Sequence, residues 1–239
     1  MIINSSGIVL STLRYSDSSV IARIYTNQIG LGSFMVRTGK GKNALSKLSL
    51  LQPLSLVEIS FDNDERKSLK SVRSIEREST LNAIPFDTVK TCIALFLSEV
   101  IFRSINEEEK NSSLFGFLRA CVLLLDQSDS CANFHLKFML EFSKFLGFYP
   151  QEMGENKSYF DLVEGEFTAF EPIHPHALSG TPAQVFGQLL SIEIEAHATV
   201  RVSSSDRRVL LQKLIDYYRL HLDGMREITS HKVLEEVMA

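Results

Sequence analysis

The sequence predicts an α+β protein in which a barrel of five short strands is followed by a mainly helical region. Two observations carry this prediction. Up to about residue 80, short segments rich in β-branched and aromatic residues alternate with turn residues. From Phe86 onward, the apolar residues recur with the period of an α-helix. The order of strands first and helices second is typical of an α+β architecture.

The five predicted strands are separated by recognisable turns. They span residues 7–15, 19–26, 30–38, 53–61 and 68–76. The stretch NQIG at 27–30 has turn chemistry, and a short helix is predicted at 44–51. Five short strands with a helix between the third and fourth favour a closed barrel of the OB type. A generic antiparallel sheet is the alternative.

The remaining chain is predicted to be helical, with one interruption. A first helix starts near Phe86, and the acidic stretch 107–111 ends it. Further helices are predicted at about 114–125, 132–146 and 206–222, and another begins at Thr181 and Pro182. Residues 148–180 are irregular, with a small hairpin over 159–170 that turns at Glu164 and Gly165. We therefore expect two domains, 1–80 and 81–239, the second with a hairpin insertion.

Composition limits the classes of protein. Apolar residues make up 44% of the chain and charged residues 23%, as in a packed globular protein. The apolar runs are too short to span a membrane, and the N-terminus lacks the basic start of a signal peptide, so we expect a cytoplasmic location without membrane contact. The three cysteines, Cys92, Cys121 and Cys131, have no C-x-x-C spacing, which disfavours a disulfide framework or a structural zinc site.

Charge is unevenly distributed along the chain. The net charge is −4, but residues 1–80 carry 11 Lys and Arg against 7 Asp and Glu, whereas residues 81–239 carry 14 against 22. The front of the chain is therefore basic and the rear acidic. A basic front is compatible with a nucleic-acid partner, and an acidic rear disfavours one.

The most basic stretch follows the third predicted strand. Residues 36–50, VRTGKGKNALSKLSL, contain Arg37, Lys40, Lys42 and Lys47 and no acidic residue. The glycine spacing does not match a P-loop, which needs G-x-x-x-x-G-K-[ST]. Two interpretations stay open, a loop that contacts the phosphates of a nucleic acid and a solvated hairpin. Arg14 at the end of the first strand and Arg23 on the second are further candidates, and Arg23 shares its side of the strand with Tyr25.

Two other patterns could carry function. His174 and His176 could bind a metal, but further ligands at suitable spacing are missing, and a polar loop is the simpler interpretation. Phe134, Phe138, Phe142 and Phe145 form a stripe at helical spacing, which is most simply core and alternatively a groove for a partner's apolar C-terminus. No nucleophile elbow G-x-S-x-G is present, so we do not expect an enzyme.

Two segments at the ends of the chain resemble a known family. The stretch 7–42, GIVLSTLRYSDSSVIARIYTNQIGLGSFMVRTGKGK, followed by LQPLSLVEISF, resembles the N-terminal OB-fold of the RecO family of bacterial recombination mediators. The segment YYRLHLDGMREITSHKVLEE resembles that family's last helix and basic tail. Many members carry a four-cysteine zinc module after the segment that corresponds to FLGFYP. Here MGENKSYFDLVEGEF has no cysteine, so we expect no metal and no cofactor.

The resemblance implies a DNA repair and recombination protein of the response to DNA damage (the SOS response) that works without catalysis, in the cytoplasm at the nucleoid. Members bind single- and double-stranded DNA, anneal complementary strands and, with RecR, help RecA load onto DNA coated with single-strand-binding protein. The acidic, Phe-ending C-terminal tail of that protein binds the helical domain. The expected DNA-binding residues are Arg14, Arg23, Arg37, Lys40, Lys42 and Lys47, with a second group, Arg226 and Lys232. The residues expected to line the partner groove are Phe134, Phe138 and Phe142.

Two alternatives from other classes stay open at this point. One is an OB-fold adaptor that binds proteins and does not anneal DNA. The other is a metal-dependent hydrolase that uses His174 and His176.

Overall fold

The structure is a computed structural model, and it divides the chain into two compact units, Met1–Gln127 and Ser128–Ala239. It describes the chain except for residues 40, 65, 106–109, 155–156 and 239, and except for the side chains of Lys42 and Asn43. The predicted break at 107–111 lies mostly outside the described residues.

A closed five-stranded barrel forms the start of the first unit. Its strands are β1 (Ile2–Ser16), β2 (Ser19–Thr26), β3 (Gly30–Arg37), β4 (Leu56–Asp62) and β5 (Leu69–Arg77). Their order around the barrel is β1-β2-β3-β5-β4, and only the β3–β5 pair is parallel among these described strands. Helix α1 (Lys42–Ser49) lies between β3 and β4 in the chain. The predicted OB-type barrel is confirmed.

Strand β1 is longer than predicted, because the barrel closes through it. Its first half, from Ile2 to Ile8, pairs with β4, and its second half, from Gly7 to Ser16, pairs with β2. Residues 4–6 are polar, so the first part of β1 lacks the apolar residues by which a strand is recognised in a sequence. A register shift after Val9 lets one strand serve two neighbours.

The barrel interior is filled by alternate residues of its strands. Phe34 and Phe61 meet edge to face with their ring centroids 5.0 Å apart. The buried members of this core are Val9, Val20, Ala22, Ile24, Phe34, Val36, Leu51, Val57, Ile59 and Phe61. Because side chains alternate along a strand, the residues between them face outward.

Two helices complete the first unit, α2 (Thr88–Ser104) and α3 (Ser112–Gln127). The segment that leads from the barrel to α2 is attached to α3 by Asp126. The carboxylate of Asp126 accepts hydrogen bonds from the backbone N–H groups of Asn82, Ala83 and Ile84, each at 2.8 Å. The predicted boundary at 80–81 marks the change from strands to helices, and as a domain boundary it stays a prediction.

The second unit is helical around an aromatic core. Its helices are α4 (Phe134–Leu146), α5 (Gly180–Leu190), α6 (Ser204–His221) and α7 (His231–Val237), with a 3-10 helix at Ile194–Thr199. Helix α5 starts at Gly180, with Ser179 before it, and so slightly earlier than predicted. No helix among the described residues combines the length and apolar character needed to cross a membrane.

The predicted hairpin is present as part of a small three-stranded sheet in the second unit. Its strands are β6 (Tyr159–Asp161), β7 (Glu166–Thr168) and β8 (Ala177–Leu178), in the order β7-β6-β8. Gly165 in the turn has φ +70°, which glycine adopts at low cost. The third strand, β8, was not predicted, because two residues are too few to show a period.

Candidate nucleic-acid interface

The outer face of β1, β2 and β3 is built of four rows that run across the strands. Residues directly opposite each other in an antiparallel pair project to the same side of the sheet. The register therefore places one residue of each strand in each row. The rows, in order along the barrel, are Ile8–Tyr25–Leu31, Ser11–Arg23–Ser33, Leu13–Ile21–Met35 and Ser16–Ser19–Arg37.

Helices cover the first row. Helix α2 lies against β1, and the Tyr25 ring stacks on Phe115 of α3 with the centroids 6.4 Å apart. Ile8 is fully buried and Tyr25 is 1% exposed. Tyr25 shares a side with Arg23, as predicted, but it is part of a packed contact and not a platform for a ligand.

Arg23 lies at the edge of the covered area. Its guanidinium donates a hydrogen bond to the Ser33 hydroxyl in the same row, and its Cζ lies 5.8 Å from the centroid of the Phe102 ring on α2. The cation–π contact and the hydrogen bond hold the exposed side chain in one place on the outer face. A pre-ordered arginine loses little side-chain entropy when it binds a phosphate.

The third row is apolar and open. Leu13 is 68% exposed, Ile21 and Met35 are partly exposed, and Tyr15 farther along β1 is 62% exposed. Sequence patterns do not reveal this row, because Leu13, Ile21 and Met35 come from three separate strands. Only the register brings them together.

The fourth row ends in the exposed Arg37. The ammonium group of Lys47 on α1 donates a hydrogen bond to the carbonyl oxygen of Arg37 at 2.9 Å, so the two predicted basic residues lie side by side. Both line an open groove of about 620 Å³ between β3 and β5. Arg73 on β5 lines the same groove, but it forms an ion pair with Asp62 at 2.7 Å and lowers the pKa of that carboxyl group.

The glycine-rich loop after β3 is attached to the turn between β1 and β2. The backbone N–H groups of Thr38 and Gly39 donate to the carbonyl oxygen of Ser18 at 2.9 and 3.3 Å. Gly39 and Gly41 have φ +77° and +67°, where a side chain would be strained. Lys40 and the side chain of Lys42 lie outside the described residues.

The remaining predicted basic residues differ in their surroundings. Arg14 is exposed and pairs with Asp17 at 3.0 Å. Arg226 and Lys232 are exposed in the second unit. Within the described part of the barrel, ion pairs involve Arg14, Arg66, Lys67 and Arg73 and leave Arg37 and Lys47 without a carboxylate.

The histidine pair has a structural explanation. Nε2 of His174 lies 3.2 Å from Asp161 Oδ2, and the rings of His174 and His176 are 6.0 Å apart. Asp161 also accepts backbone hydrogen bonds from Val163 and Glu164, so it stabilises the hairpin turn. In the part of the chain that the structure describes, no group of three or more His, Cys, Asp or Glu side chains could hold a metal ion.

Three members of the phenylalanine stripe lie in the core of the second unit, and the fourth, Phe145, is 38% exposed. Phe134 and Phe142 are fully buried and Phe138 is 1% exposed. The interpretation of the stripe as core agrees with this placement, and a partner groove walled by these three rings does not fit their burial. A cavity beside α4 that Arg207, Arg208, Leu211 and Leu234 help to line has a volume of only about 20 Å³, too little for a phenyl ring.

These features define a class: an OB-type barrel with an open outer face that carries arginines and apolar side chains, followed by a helical unit. Comparisons with known proteins agree with it. The model of the N-terminal domain of recombination protein O matches residues 1–80, and that of its C-terminal domain matches residues 85–228.

Whole-length relatives give the same result. The chain is 34% identical over 240 residues to the DNA repair protein RecO of Flavobacterium psychrophilum, with 100% of both chains covered. It is 35% identical to that of Flavobacterium johnsoniae, again with 100% of both chains covered, and 36% identical to that of Bacteroides fragilis, with 99% of both covered. The chain belongs to the RecO family of DNA repair proteins.

Proposed function

We propose that this protein is a recombination mediator that binds single- and double-stranded DNA through its barrel and anneals complementary strands. Together with RecR, it helps RecA load onto DNA coated with single-strand-binding protein. It has no chemical step of its own, and it works at the nucleoid in the cytoplasm. Family membership supports this function.

The observation that carries the DNA-binding part is the charge of the open outer face. Arg23, Arg37 and Lys47 are exposed there. The second, third and fourth rows contain no acidic residue. A face with this charge attracts a phosphate backbone, and binding releases counterions from the DNA. Lys40 and Lys42 follow from the same proposal because they are close to Arg37 in the chain, and Arg14 follows because it lies on β1 in the same barrel.

Annealing follows from the same electrostatics. Two complementary strands repel each other through their phosphates, and arginine and lysine side chains reduce that repulsion where they contact the backbone. A face that holds the strand without enclosing it leaves the pairing edges of the bases free to pair with a second strand. The proposal therefore needs no other site for annealing.

The helical unit is proposed to contact protein partners. The acidic balance of residues 81–239 disfavours DNA there. Family membership supports RecR and the C-terminal tail of single-strand-binding protein as its partners, whereas the charge balance does not favour that acidic tail. Arg226 and Lys232 are proposed as a second DNA-contacting group at the end of the chain.

The salt dependence of DNA binding tests the barrel face. Replacing both Arg37 and Lys47 by Ala should weaken DNA binding and reduce the slope of log K against log salt by roughly one unit for each lost phosphate contact. The matched control is Arg201→Ala with Arg219→Ala, which removes the same charge from exposed positions of the second unit. An equal change of slope in both double variants would show that only net charge matters and would remove this face from the interface.

Strand annealing tests the function itself. Complementary oligonucleotides, bare or coated with single-strand-binding protein, should anneal faster with the protein than without it, and the Arg37 and Lys47 double variant should be slower. An OB-fold adaptor would bind proteins and leave the annealing rate unchanged. That result would replace the proposed function by the adaptor.

A further inference from the structure

We infer that the apolar row Leu13–Ile21–Met35, together with Tyr15, binds the unpaired bases of single-stranded DNA and makes the barrel prefer single strands over duplex. This inference rests on the proposed function and specifies which chemical part of DNA the open face contacts. The arginines explain attraction to any nucleic acid, whereas the apolar row explains a choice between two forms of it.

The first step is that the row is one continuous surface. Leu13 lies opposite Ile21, and Ile21 lies opposite Met35. Neighbouring strands are about 4.8 Å apart, so the three side chains extend over roughly 10 Å across the face. Tyr15 follows Leu13 by two residues on β1, where the register shift between Arg14 and Ser16 occurs. Tyr15 is 62% exposed at this bulge, and we include its ring in the proposed patch.

The second step is that, among the described residues of the first unit, the packing does not use this surface. The row Ile8–Tyr25–Leu31 is as apolar, but Ile8 is fully buried and Tyr25 is 1% exposed beneath the helices. The Leu13 row is two rows farther along the barrel and is left open, with Leu13 68% and Tyr15 62% exposed. A single exposed leucine is ordinary, but a cluster of apolar side chains rimmed by polar residues marks an interaction site.

The third step is the choice of occupant, which follows from charge. Arg23 lies in the row on one side and Arg37 in the row on the other side. Each arginine is two residues along its strand from the apolar row, a distance of about 7 Å. Asp17, the acidic residue in the adjoining turn, is paired with Arg14 at 3.0 Å. An apolar strip between two cations suits a polyanion that also presents flat apolar faces.

A single strand of DNA has both properties at once. Its bases are unstacked or easily unstacked, and every base has a π-face that packs on aromatic and apolar side chains whatever its sequence. A duplex keeps its base faces inside the stack, so it reaches the arginines but not the apolar row. The row should therefore strengthen the binding of single strands alone.

Oligomers with and without bases test this inference directly. The purified full chain is titrated with oligo(dT), with an abasic oligomer of the same length and with a duplex of that length. The wild-type protein should bind oligo(dT) more tightly than the abasic oligomer. Leu13→Ser with Tyr15→Ser should weaken oligo(dT) binding roughly tenfold, and leave the abasic oligomer, the duplex and the salt slope unchanged.

Two further variants separate stacking from other causes. Tyr15→Phe keeps the ring and should bind oligo(dT) like the wild type. Phe86→Ser removes an aromatic ring that is 85% exposed near the N-terminal end of α2, whereas Phe102, beneath Arg23, lies near the C-terminal end of that helix. It should change none of the three affinities. Thermal unfolding midpoints establish that every variant is folded, which is expected because Leu13 and Tyr15 are exposed.

Each other outcome decides against the inference. Equal wild-type affinity for oligo(dT) and the abasic oligomer would overturn it and leave the proposed DNA binding intact. Equal losses on all three ligands would show that the patch supports the arginines and does not contact bases. Unchanged DNA binding together with loss of a protein partner would assign the patch to that partner. If the wild-type protein bound none of the three, the proposed function would fail as well.

Discussion

The two compact units place their charged side chains in opposite ways. On the barrel, Arg23, Arg37 and Lys47 are exposed on an outer face that α2 and α3 cover only in part. In the helical unit, Lys137 is fully buried and its partner Glu141 is 9% exposed. The exposed cations contribute little to folding, so they are available for a ligand. The buried charges contribute to folding, so they are poor candidates for one.

The buried group on α4 shows how the helical unit compensates its charges. Lys137 Nζ donates to Glu141 Oε1 at 2.5 Å, and Lys144 Nζ lies 2.7 Å from Glu141 Oε2. Lys144 also lies over the Tyr149 ring, 4.4 Å from its centroid. One carboxylate thus pairs with one buried and one partly exposed ammonium group. Loss of Lys137 and loss of Lys144 should therefore lower the free energy of unfolding by very different amounts.

The largest expected effect is therefore the loss of Lys137. Lys137→Ala leaves the buried Glu141 with Lys144 as its remaining partner, which is partly exposed. This change should lower the free energy of unfolding by about 3 kcal/mol. Lys144→Ala, whose side chain is 45% exposed, should cost less than about 1 kcal/mol. Urea unfolding measures both values. Similar costs for the two variants would contradict the distinction between buried and exposed charges.

A second variant refines the same test. Replacing Lys137 and Glu141 together by Met removes both charges and keeps most of the volume. The double variant should recover most of the stability that Lys137→Ala loses, because apolar residues replace buried ion pairs at little cost. A double variant that is less stable than Lys137→Ala would show that the ion pair itself stabilises the unit.

The next effect concerns Asp126 in the first unit, a buried charge outside the helical unit. Its carboxylate accepts three backbone hydrogen bonds, which, against desolvation, lower its pKa. Asp126→Ala leaves three N–H groups without that acceptor and should cost about 2–3 kcal/mol of unfolding free energy. Asp129→Ala, at an exposed position, is the control for urea unfolding. No difference between them would mean that water replaces the carboxylate fully.

Burial of histidine makes the helical unit sensitive to pH. Complete burial lowers the pKa of His135 to about 3, with smaller contributions from Arg207 and His197, and burial also lowers the pKa of His197. Because the unfolded chain binds these protons near pH 6.5 and the folded chain does not, the stabilisation is complete above pH 6.5 and is lost as the pH falls toward 3. Glu141, whose pKa is also lowered, contributes to this loss only below about pH 4.5.

The slope of stability against pH isolates His135. Between pH 4.5 and 6.5, His135→Leu should reduce the rise of unfolding free energy with pH by up to about 1.4 kcal/mol per pH unit. The measurement is urea unfolding at several pH values, with His176→Leu, an exposed position, as the control. An unchanged slope in His135→Leu would mean that His135 is protonated in the folded protein.

The smallest expected effect lies on the barrel. Asp17→Ala removes the partner of Arg14 beside the open face and should tighten DNA binding about twofold, since an exposed ion pair is weak. Stability should not change, which separates this exposed pair from the pair on α4. Asp223→Ala in the second unit gives the same change of net charge. Equal tightening in both variants, measured at one salt concentration, would remove Arg14 from the interface.

Sequence patterns were sufficient to place strands and helices along the chain. They were insufficient to show which elements pack against each other. β-Branched and aromatic residues between turn residues located β2 and β3 closely, and the helical spacing of Phe134, Phe138 and Phe142 located α4. That spacing could not say what covers the stripe, because burial depends on α6 and the 3-10 helix, far along the chain. Lys137 and Glu141, four residues apart, look like a surface pair, and only packing shows that they are buried.

The same limit applies to the candidate site. Arg37 and Lys47 were predicted as neighbours in the chain, and they meet in space. The Leu13 row could not be predicted, because it depends on the registers of two strand pairs that sequence patterns do not determine. The contact between Arg23 and Phe102 depends on where α2 packs, and the two residues are 79 positions apart in the chain.

The two-sided pairing of β1 also has a consequence for how the protein forms. Strands β2 and β3 make a local hairpin with a turn at 27–29. Ile2 pairs with Asp62, which is far from it in the chain, so this pairing cannot form until β4 is available. Closing a long loop costs more entropy than closing a hairpin, so the barrel seals late in folding. During synthesis, the hairpin that carries Arg23 and Arg37 can assemble before the ribosome has delivered the strand that closes the barrel.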